Sequence, residues 1–259
     1  MNEPEYEYRG LMAATWDLFR GDTSRWGDRN RFRELILRHG QPALDVGCGT
    51  GRLLLDYLAE GLDVDGVDNS PEMLALCRAK AEQHGLRPTL YEQPIERLDL
   101  PRRYSTIIVP SSTFQLITDP EQARGAMRCF FEHLLPGGAL AMSIMALWRE
   151  GDPLETDWAP RGEQVRPEDG AVVRRWSRAR YEPDAQLEHT EDRYEVVRDG
   201  EVIAVEEHRR SPATRGYTHA QVRDLYDEAG FVDVQLFREW STEPASPEDR
   251  VILAVGTKP

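Results

Sequence analysis

Residues 44–51 read Leu44-Asp45-Val46-Gly47-Cys48-Gly49-Thr50-Gly51, and this stretch decides the fold. It predicts a buried strand that ends in a glycine-rich turn and leads into a helix. Gly47, Gly49 and Gly51 have no Cβ, so the backbone can bend tightly there and a ligand can lie against it. A helix beginning after the turn points its amide dipoles at that ligand and favours a carboxylate or phosphate.

A second strand-like run, residues 62–67, ends at Asp68. In a βαβ unit, a carboxylate at this place accepts hydrogen bonds from both ribose hydroxyls of a nucleoside. The alternative is a carboxylate that only begins the next helix. A glycine-rich turn alone is a weak signal, but its pairing with Asp68 predicts a nucleoside site.

The composition limits the classes of partner that this protein is expected to bind. The chain has 259 residues and a formal net charge of −14, which argues against duplex DNA and anionic membranes because both select basic surfaces. No apolar run is long enough to cross a bilayer, and the N-terminus does not resemble a signal peptide. Cys48, Cys77 and Cys129 are scattered, without metal-ligand or disulfide spacing. We therefore expect a cytoplasmic protein without a metal site.

Helical and strand-like segments alternate along most of the chain, after N-terminal helices expected over Tyr6–Phe19 and Arg29–His39. Asp119-Pro120 begins a helix that we expect to continue through Leu135. The pattern predicts an α/β fold, a Rossmann-like, seven-stranded, doubly wound sheet with an antiparallel last strand. We expect one domain over residues 1–259, with an N-terminal helical arm at 1–40 and an inserted antiparallel β-meander, or lid, at 148–216.

Within the insert, Leu154–Asp169 is rich in Pro, Gly and charge and is expected to be a loop. Three strands are predicted at Val172–Tyr181, Gln186–Arg198 and Val202–Arg210. Their arginines either bind an anionic substrate or pair with acidic residues on the neighbouring strand, and we favour the pairing. The arginines in question are Arg174, Arg175, Arg178 and Arg180.

Three motifs together resemble the class I S-adenosylmethionine-dependent methyltransferases. They are residues 45–51, then Gly66-Val67-Asp68-Asn69-Ser70-Pro71-Glu72-Met73-Leu74, then Leu134-Leu135-Pro136-Gly137-Gly138. The resemblance covers roughly residues 29–145 and 217–257. It is specific for the fold and the cofactor and silent on the acceptor. A dehydrogenase is disfavoured, because the glycine spacing differs from G-x-G-x-x-G.

The resemblance implies roles for individual residues. Gly47 and Gly49 would lie against the methionine part of S-adenosylmethionine, and Asp45 would reach its ammonium or hold the turn. Asp68 would bind the ribose and Asn69 would flank the adenine. The implied cofactor-binding residues are Trp16, Asp45, Gly47, Cys48, Gly49, Asp68, Asn69, Met73, Gln93, Pro94, Ile95, Pro110 and Ser111.

One position departs from the family pattern. Many relatives carry an aspartate at the adenine edge, where this chain has Gln93-Pro94. The contact to the adenine amino group would then come from a backbone amide, from Gln93 or from Glu96. What replaces the aspartate is left open by the sequence.

The expected activity is methyl transfer to a small-molecule N or O nucleophile, and the alternative is a non-catalytic protein that binds S-adenosylmethionine. Val109-Pro110-Ser111-Ser112 stands where enzymes that methylate nucleic-acid amines carry Asn/Asp-Pro-Pro-Tyr/Phe, so we expect no nucleic-acid partner. The insert could also form a homodimer surface. No catalytic base is identified. The candidate substrate contacts are Tyr8, Phe114, Trp148 and His189.

Each of these candidates also has a structural interpretation. Phe114 is expected equally to pack in the core, and Trp148 equally to attach the insert to the sheet. For His189 and the nearby Tyr194 we favour a solvent-facing position on a strand.

Overall fold

The computed structural model describes residues 7–259, so the first part of the predicted Tyr6–Phe19 helix lies outside the described residues. The described helices, numbered in chain order, are α1 Gly10–Ala14, α2 Trp16–Arg20, α3 Gly27–His39, α4 Leu54–Ala59, α5 Pro71–Gln83, α6 Pro120–His133 and α7 His219–Ala229. The strands are β1 Ala43–Val46, β2 Val64–Asp68, β3 Leu90–Glu92, β4 Tyr104–Val109, β5 Leu134–Met145, β6 Ala159–Val165, β7 Val172–Glu182, β8 Leu187–Arg198, β9 Glu201–Arg215, β10 Val232–Arg238 and β11 Val251–Thr257.

Seven strands form one sheet in the order β10-β11-β5-β4-β1-β2-β3. The central strands are parallel, whereas β11 runs antiparallel to both β5 and β10. Strands β1 and β4 are buried almost throughout, as expected of parallel strands covered by helices on both faces. The predicted doubly wound sheet with an antiparallel last strand is confirmed.

The helix starts follow local chemistry. The Ser70 hydroxyl accepts from the Met73 amide at the start of α5, and the Asp119 carboxylate accepts from two amides at the start of α6. A proline follows each cap at the first helical position, where its missing N–H costs nothing.

The end of α6 differs from the prediction. The helix ends at His133, not Leu135, because Leu134 adopts an extended conformation and pairs with Tyr104 of β4. Strand pairing therefore takes over two residues before the Pro136-Gly137-Gly138 stop that the sequence suggested.

Helix α7 begins with a reciprocal capping box. The Thr218 hydroxyl accepts from the Gln221 amide, and the Gln221 side chain accepts from the Thr218 amide. We expect Thr218→Ala to lower the free energy of unfolding by about 1 kcal/mol, because one amide of the first turn loses its acceptor. Urea denaturation measures this loss. Thr89→Ala, at an exposed position directly before β3, serves as the control and should change stability by less than about 0.5 kcal/mol.

A second sheet contains four antiparallel strands in the order β6-β7-β8-β9. The prediction of three strands was wrong, and so was the loop expected over Leu154–Asp169, because β6 pairs with β7 from Ala159 to Val165. This strand is polar and largely exposed and contains Pro160 and Gly162. It lacks the alternating apolar pattern by which an edge strand is recognised in sequence.

The chain divides into two compact units. The small unit combines the residues up to 23 with 147–216, and the large unit combines 24–146 with 217–259. Residues 24–40 thus belong with the seven-stranded sheet, where Phe32, Leu35 and Ile36 of α3 join an apolar cluster. In the small unit, Met12 packs with Val173, Tyr194 and Val196 of the meander. The roles of residues 1–40 as an arm and 148–216 as a lid stay predictions.

Candidate functional site

The glycine-rich turn and Asp68 lie at the same edge of the large sheet. Strands β1 and β2 are parallel neighbours, with Val46 opposite Val67, so their carboxyl ends meet. The amides of Gly47 and Cys48 both donate to the Val67 carbonyl, at 2.8 and 3.1 Å. These bonds hold the turn against the end of β2, where open α/β sheets bind their ligands.

Asp68 joins the two strand ends. One carboxylate oxygen accepts from the Gly49 amide at 2.9 Å and the other accepts from the Ser70 amide at 2.9 Å. Burial raises the pKa of Asp68, and the backbone amides of Ser70, Gly49 and Asn69 oppose this rise. Each oxygen with one amide donor keeps capacity for a further donor. The carboxylate can therefore hold the turn and still accept from a ligand hydroxyl.

The turn requires glycine. Gly47, Gly49 and Gly51 have φ angles of +68°, +55° and +85°, in the left-handed region that disfavours side chains. A Cβ on Gly47 would overlap the Thr113 side chain, and one on Gly49 would lie 3.3 Å from Cε of Met73. Thr113 and Met73 therefore pack closely against the turn, and the missing Cβ of Gly47 leaves room for the Thr113 side chain.

Asp45 lies beneath the turn and is almost completely buried. Its Oδ1 atom has no hydrogen-bond partner within residues 7–259. Burial raises the pKa of Asp45 to about 7; Asp68 and Asp28 also raise it, whereas Arg52 lowers it. Since Arg52 bonds directly to Asp28 at 3.1 Å, its charge is largely committed there. The buried Asp45 oxygen is the kind of group that a cationic donor would satisfy.

In the loop after β3, the Gln93 side chain is hydrogen-bonded to the backbone of Asp99. The Gln93 side chain accepts from the Asp99 amide at 2.8 Å and donates to the Asp99 carbonyl at 3.1 Å. Both ends of this amide are thus engaged within the loop, and the contact of Gln93 with the adenine stays a prediction. Ile95 is nearly buried and Asn69 is exposed beside Asp68. A backbone amide and Glu96 stay the alternatives for that contact.

The segment after β4 is held in an unusual conformation. Ser111 has a φ of +58°, and its carbonyl accepts from the Ser143 hydroxyl at 2.7 Å. Phe114 is completely buried, with its ring 5.6 Å from that of Tyr217. The structure therefore favours the core-packing interpretation of Phe114 over a substrate contact.

The other aromatic candidates lie in the small unit. Tyr8 contacts Trp16 edge to face at 4.7 Å, and the Arg20 guanidinium lies 4.2 Å above the Trp16 ring. Trp148 stacks on Tyr181 at 5.5 Å. A cation already covers one face of Trp16, and its assignment to the cofactor stays a prediction, as do those of Tyr8 and Trp148 to the substrate.

His189 and Tyr194 are not solvent-facing, so this prediction was wrong. The His189 side chain is 14% exposed, contacts the Ser211 hydroxyl at 2.7 Å through Nδ1 and lies 3.4 Å from Glu182. Tyr194 is 2% exposed and packs against Phe19. Residues of the N-terminal helices cover Tyr194, and neighbouring strands of the meander flank His189. A strand pattern alone does not reveal these neighbours. His189 also lines a polar groove of about 410 Å³ in the small unit.

The arginines of β7 form ion pairs, as favoured from the sequence. Arg175 pairs with Asp192 and Arg178 with Glu191, both at 2.8 Å across to β8. Arg174 instead pairs with Glu163 of the unpredicted strand β6, and Arg180 pairs with Glu182 of its own strand. These ion pairs support the pairing interpretation over an anionic-substrate site. Arg175 and the buried Asp192 lie on the face opposite to Arg174, Arg178 and Arg180, because side chains alternate along a strand.

Four residues of the site were not singled out in the sequence. Arg52, Asp28, Thr113 and Ser70 touch the turn or its acidic groups. Ser70 had a signal, since it precedes Pro71 in a helix-capping pattern. Asp28 and Arg52 are 24 positions apart, and no local pattern joins them.

Comparison with known proteins agrees with this geometry. Residues 43–138 match the family model described as a methyltransferase domain. The chain is 34% identical over 139 residues to a demethylmenaquinone methyltransferase of Thermus thermophilus, covering 51% of this chain and 61% of that protein. It is 28% identical over 145 residues to a dTDP-3-amino-3,6-dideoxy-alpha-D-glucopyranose N,N-dimethyltransferase of Streptomyces fradiae, covering 54% and 55%. The matches thus span less than two thirds of these curated relatives.

Solved structures share the fold over nearly the whole chain. A S-adenosylmethionine-dependent methyltransferase from Clostridium acetobutylicum has a TM-score of 0.74 at 20% identity, covering 95% of this chain and 96% of that one. A sugar N-methyltransferase from a Streptoalloteichus species has a TM-score of 0.72 at 21% identity, covering 100% and 98%. Residues 43–138 are thus similar to a methyltransferase domain, and the chain shares the fold of these solved structures.

Proposed function

We propose that this protein binds S-adenosylmethionine and transfers its methyl group to a nitrogen or oxygen of a small molecule. One observation carries the proposal: the left-handed glycine turn is clasped by the buried carboxylate of Asp68 at adjoining strand ends, 2.9 Å from the Gly49 amide. This geometry supports a nucleoside-binding site at the turn. It favours a working enzyme over a non-catalytic relative.

The residues present fit the cofactor. The unpartnered Oδ1 of Asp45 matches an ammonium, which would satisfy a buried oxygen that otherwise has no hydrogen bond. The turn at Gly47 and Gly49 would lie against the methionine part, since a backbone without side chains allows close approach. Asp68 would accept from the ribose hydroxyls, with Asn69 at the adenine and residues 93–95 at its other edge.

Bound S-adenosylmethionine supplies an electrophilic methyl group on a sulfonium with a good leaving group. The protein's main task is then to align the acceptor with the carbon–sulfur bond. A neutral amine attacks without prior deprotonation and afterwards releases a proton to solvent, whereas a hydroxyl needs a base. We propose Tyr8, Trp148 and His189 as acceptor contacts.

An amine acceptor is favoured within this proposal. Two curated relatives are named as N,N-dimethyltransferases of dTDP-linked amino sugars, although others are named for quinone-type or lipid substrates. The net charge of −14 also supports a small molecule over a nucleic acid.

Calorimetry and a transfer assay test the proposal in sequence. The purified protein should bind S-adenosylmethionine and its demethylated product, and labelled methyl should appear on one member of a panel of nucleotide-linked amino sugars, free amines and phenols. Absence of binding to either ligand would refute the proposal. Binding without transfer to any acceptor would favour the non-catalytic alternative.

Other expectations from the sequence stay predictions. These are the cytoplasmic location and the absence of nucleic-acid and membrane partners. Within residues 7–259, no helix is both long and apolar enough to cross a membrane.

A further inference from the structure

Strand β9 is a long edge strand. It spans Glu201–Arg215 and pairs with β8 on one side, and within residues 7–259 no strand pairs with its other side. Its first half is exposed, including Val202, Ile203 and Val205 at 52%, 49% and 50%. An exposed apolar edge is a template for another strand, and proteins usually protect such edges by charge, by covering or by pairing.

The charges on this edge are self-complementary. Residues 206–210 read Glu206-Glu207-His208-Arg209-Arg210, so acids and bases mirror each other about His208. If two copies of β9 pair antiparallel about a twofold axis at His208, Glu207 lies opposite Arg209 of the partner subunit. Glu206 would lie opposite Arg210 of the partner subunit on the other face, but there Glu206 already accepts from the Leu11 amide and Arg210 lies 3.7 Å from Glu7. Directly opposite residues share one face of a sheet, so the charge match rests on the exposed face that carries Glu207 and Arg209.

The ion-pair ladder on the exposed face reaches this edge with alternating sign. Arg178 bonds to Glu191 at 2.8 Å, and Glu191 bonds to Arg209 at 3.0 Å. One rung further along, Arg193 bonds to Glu207 at 2.9 Å. One row of ion pairs therefore ends at the edge in the cation Arg209, and the next row ends in the anion Glu207. A twofold axis places the Arg209 end of one copy opposite the Glu207 end of the other copy.

We propose that the protein forms a homodimer in which the β9 strands of two copies pair antiparallel about His208, making one continuous eight-stranded sheet. The pairing extends over about residues 205–211 of each copy, because Pro212 has no N–H to donate. A register centred on Ala204 would instead set Glu201 against Glu207 of the partner subunit, and like charges directly opposite are unfavourable. The charge pattern thereby selects the register as well as the partner.

Charge exchange at the edge tests the proposal, with sedimentation velocity as the readout. Glu207→Arg and Arg209→Glu each place like charges opposite each other twice, and each should weaken the dimer at least about tenfold. The double variant Glu207→Arg/Arg209→Glu restores opposite charges and should dimerise within about threefold of the unaltered protein. Mixing the two single variants should likewise produce a heterodimer, since one then carries two cations at the edge and the other two anions.

The mixing experiment separates the interface from effects within one chain. Each single variant also loses an ion pair to Arg193 or Glu191, but mixing restores neither. Glu163→Arg breaks a comparable exposed ion pair on β6, at the opposite edge of the sheet, and should leave the dimer unchanged. A monomeric unaltered protein at tens of micromolar, single variants that dimerise normally, or a mixture that stays monomeric would each overturn the proposal.

Discussion

Replacing Asp68 by alanine is expected to weaken binding of S-adenosylmethionine and its demethylated product about 100-fold or more. Two hydrogen bonds from ligand hydroxyls to a carboxylate contribute about 1.5 kcal/mol each at the lower end, which corresponds to a factor of about 100. The substitution also removes the acceptor of the Gly49 and Ser70 amides, so the turn itself loosens. Isothermal titration calorimetry measures the loss.

Two further variants separate ligand contact from turn stability. Asp68→Asn keeps one acceptor oxygen and the same shape, and should lose only about tenfold in affinity. Asp63 lies five positions before Asp68, and its exposed carboxylate pairs with Arg102. Asp63→Ala removes this carboxylate and should leave the affinity for S-adenosylmethionine unchanged. An Asp68→Ala protein that binds within threefold of the unaltered protein would contradict the assigned site.

Binding of S-adenosylmethionine is expected to tighten as the pH rises through about 7. The ligand-free protein holds Asp45 with a pKa of about 7, because the carboxyl is buried next to Asp68 and Asp28. An ammonium pairs with the carboxylate form, so below that pH a proton must leave before the contact forms. With one proton released, affinity should rise about 20-fold between pH 5.5 and pH 7.5. Titrations in buffers of different ionisation enthalpy measure both the slope and the proton.

The stability of the ligand-free protein gives an independent readout. The pKa of Asp45 is higher in the folded state than the ordinary value of 3.8, so folding retains the proton at neutral pH. Its contribution to stability is therefore complete below about pH 4 and is lost as the pH rises towards 7. Asp45→Asn should remove this loss. Over that range its free energy of unfolding should rise relative to that of the unaltered protein by at most about 1.4 kcal/mol per pH unit.

Asp45→Asn also serves as the control for binding. Its affinity for S-adenosylmethionine should be weaker at pH 7.5 and nearly independent of pH. If the unaltered protein and Asp45→Asn show the same pH profile, Asp45 is not the group that pairs with the ammonium.

The local parts of the site could be predicted from the sequence because neighbouring residues determine them. Gly47, Gly49 and Gly51 permit the left-handed backbone that the turn after β1 needs, and the βα alternation places Asp68 at the same sheet edge. The helix caps at Ser70, Asp119 and Thr218 likewise depend on residues two or three positions away. The contacts that form these features join residues close together in sequence, so a local sequence pattern predicts them.

The remaining features depend on residues far apart in sequence. Strand β6 has no apolar alternation and exists because β7 offers it hydrogen-bonding partners. Gln93 is engaged by the Asp99 backbone, which only the path of the loop brings near.

The sequence by itself determined the alternation of strands and helices in the large sheet, the glycine turn and the acid at the end of β2, because each follows from backbone preferences and spacing. Only the tertiary structure decided which charges are buried. Burial raises the pKa of Asp45, and Arg52, which bonds to Asp28 24 positions away, lowers it without supplying a hydrogen bond to the Asp45 Oδ1 atom. Burial and long-range pairing determine the free energy of a charged group, and a local sequence pattern predicts neither of them.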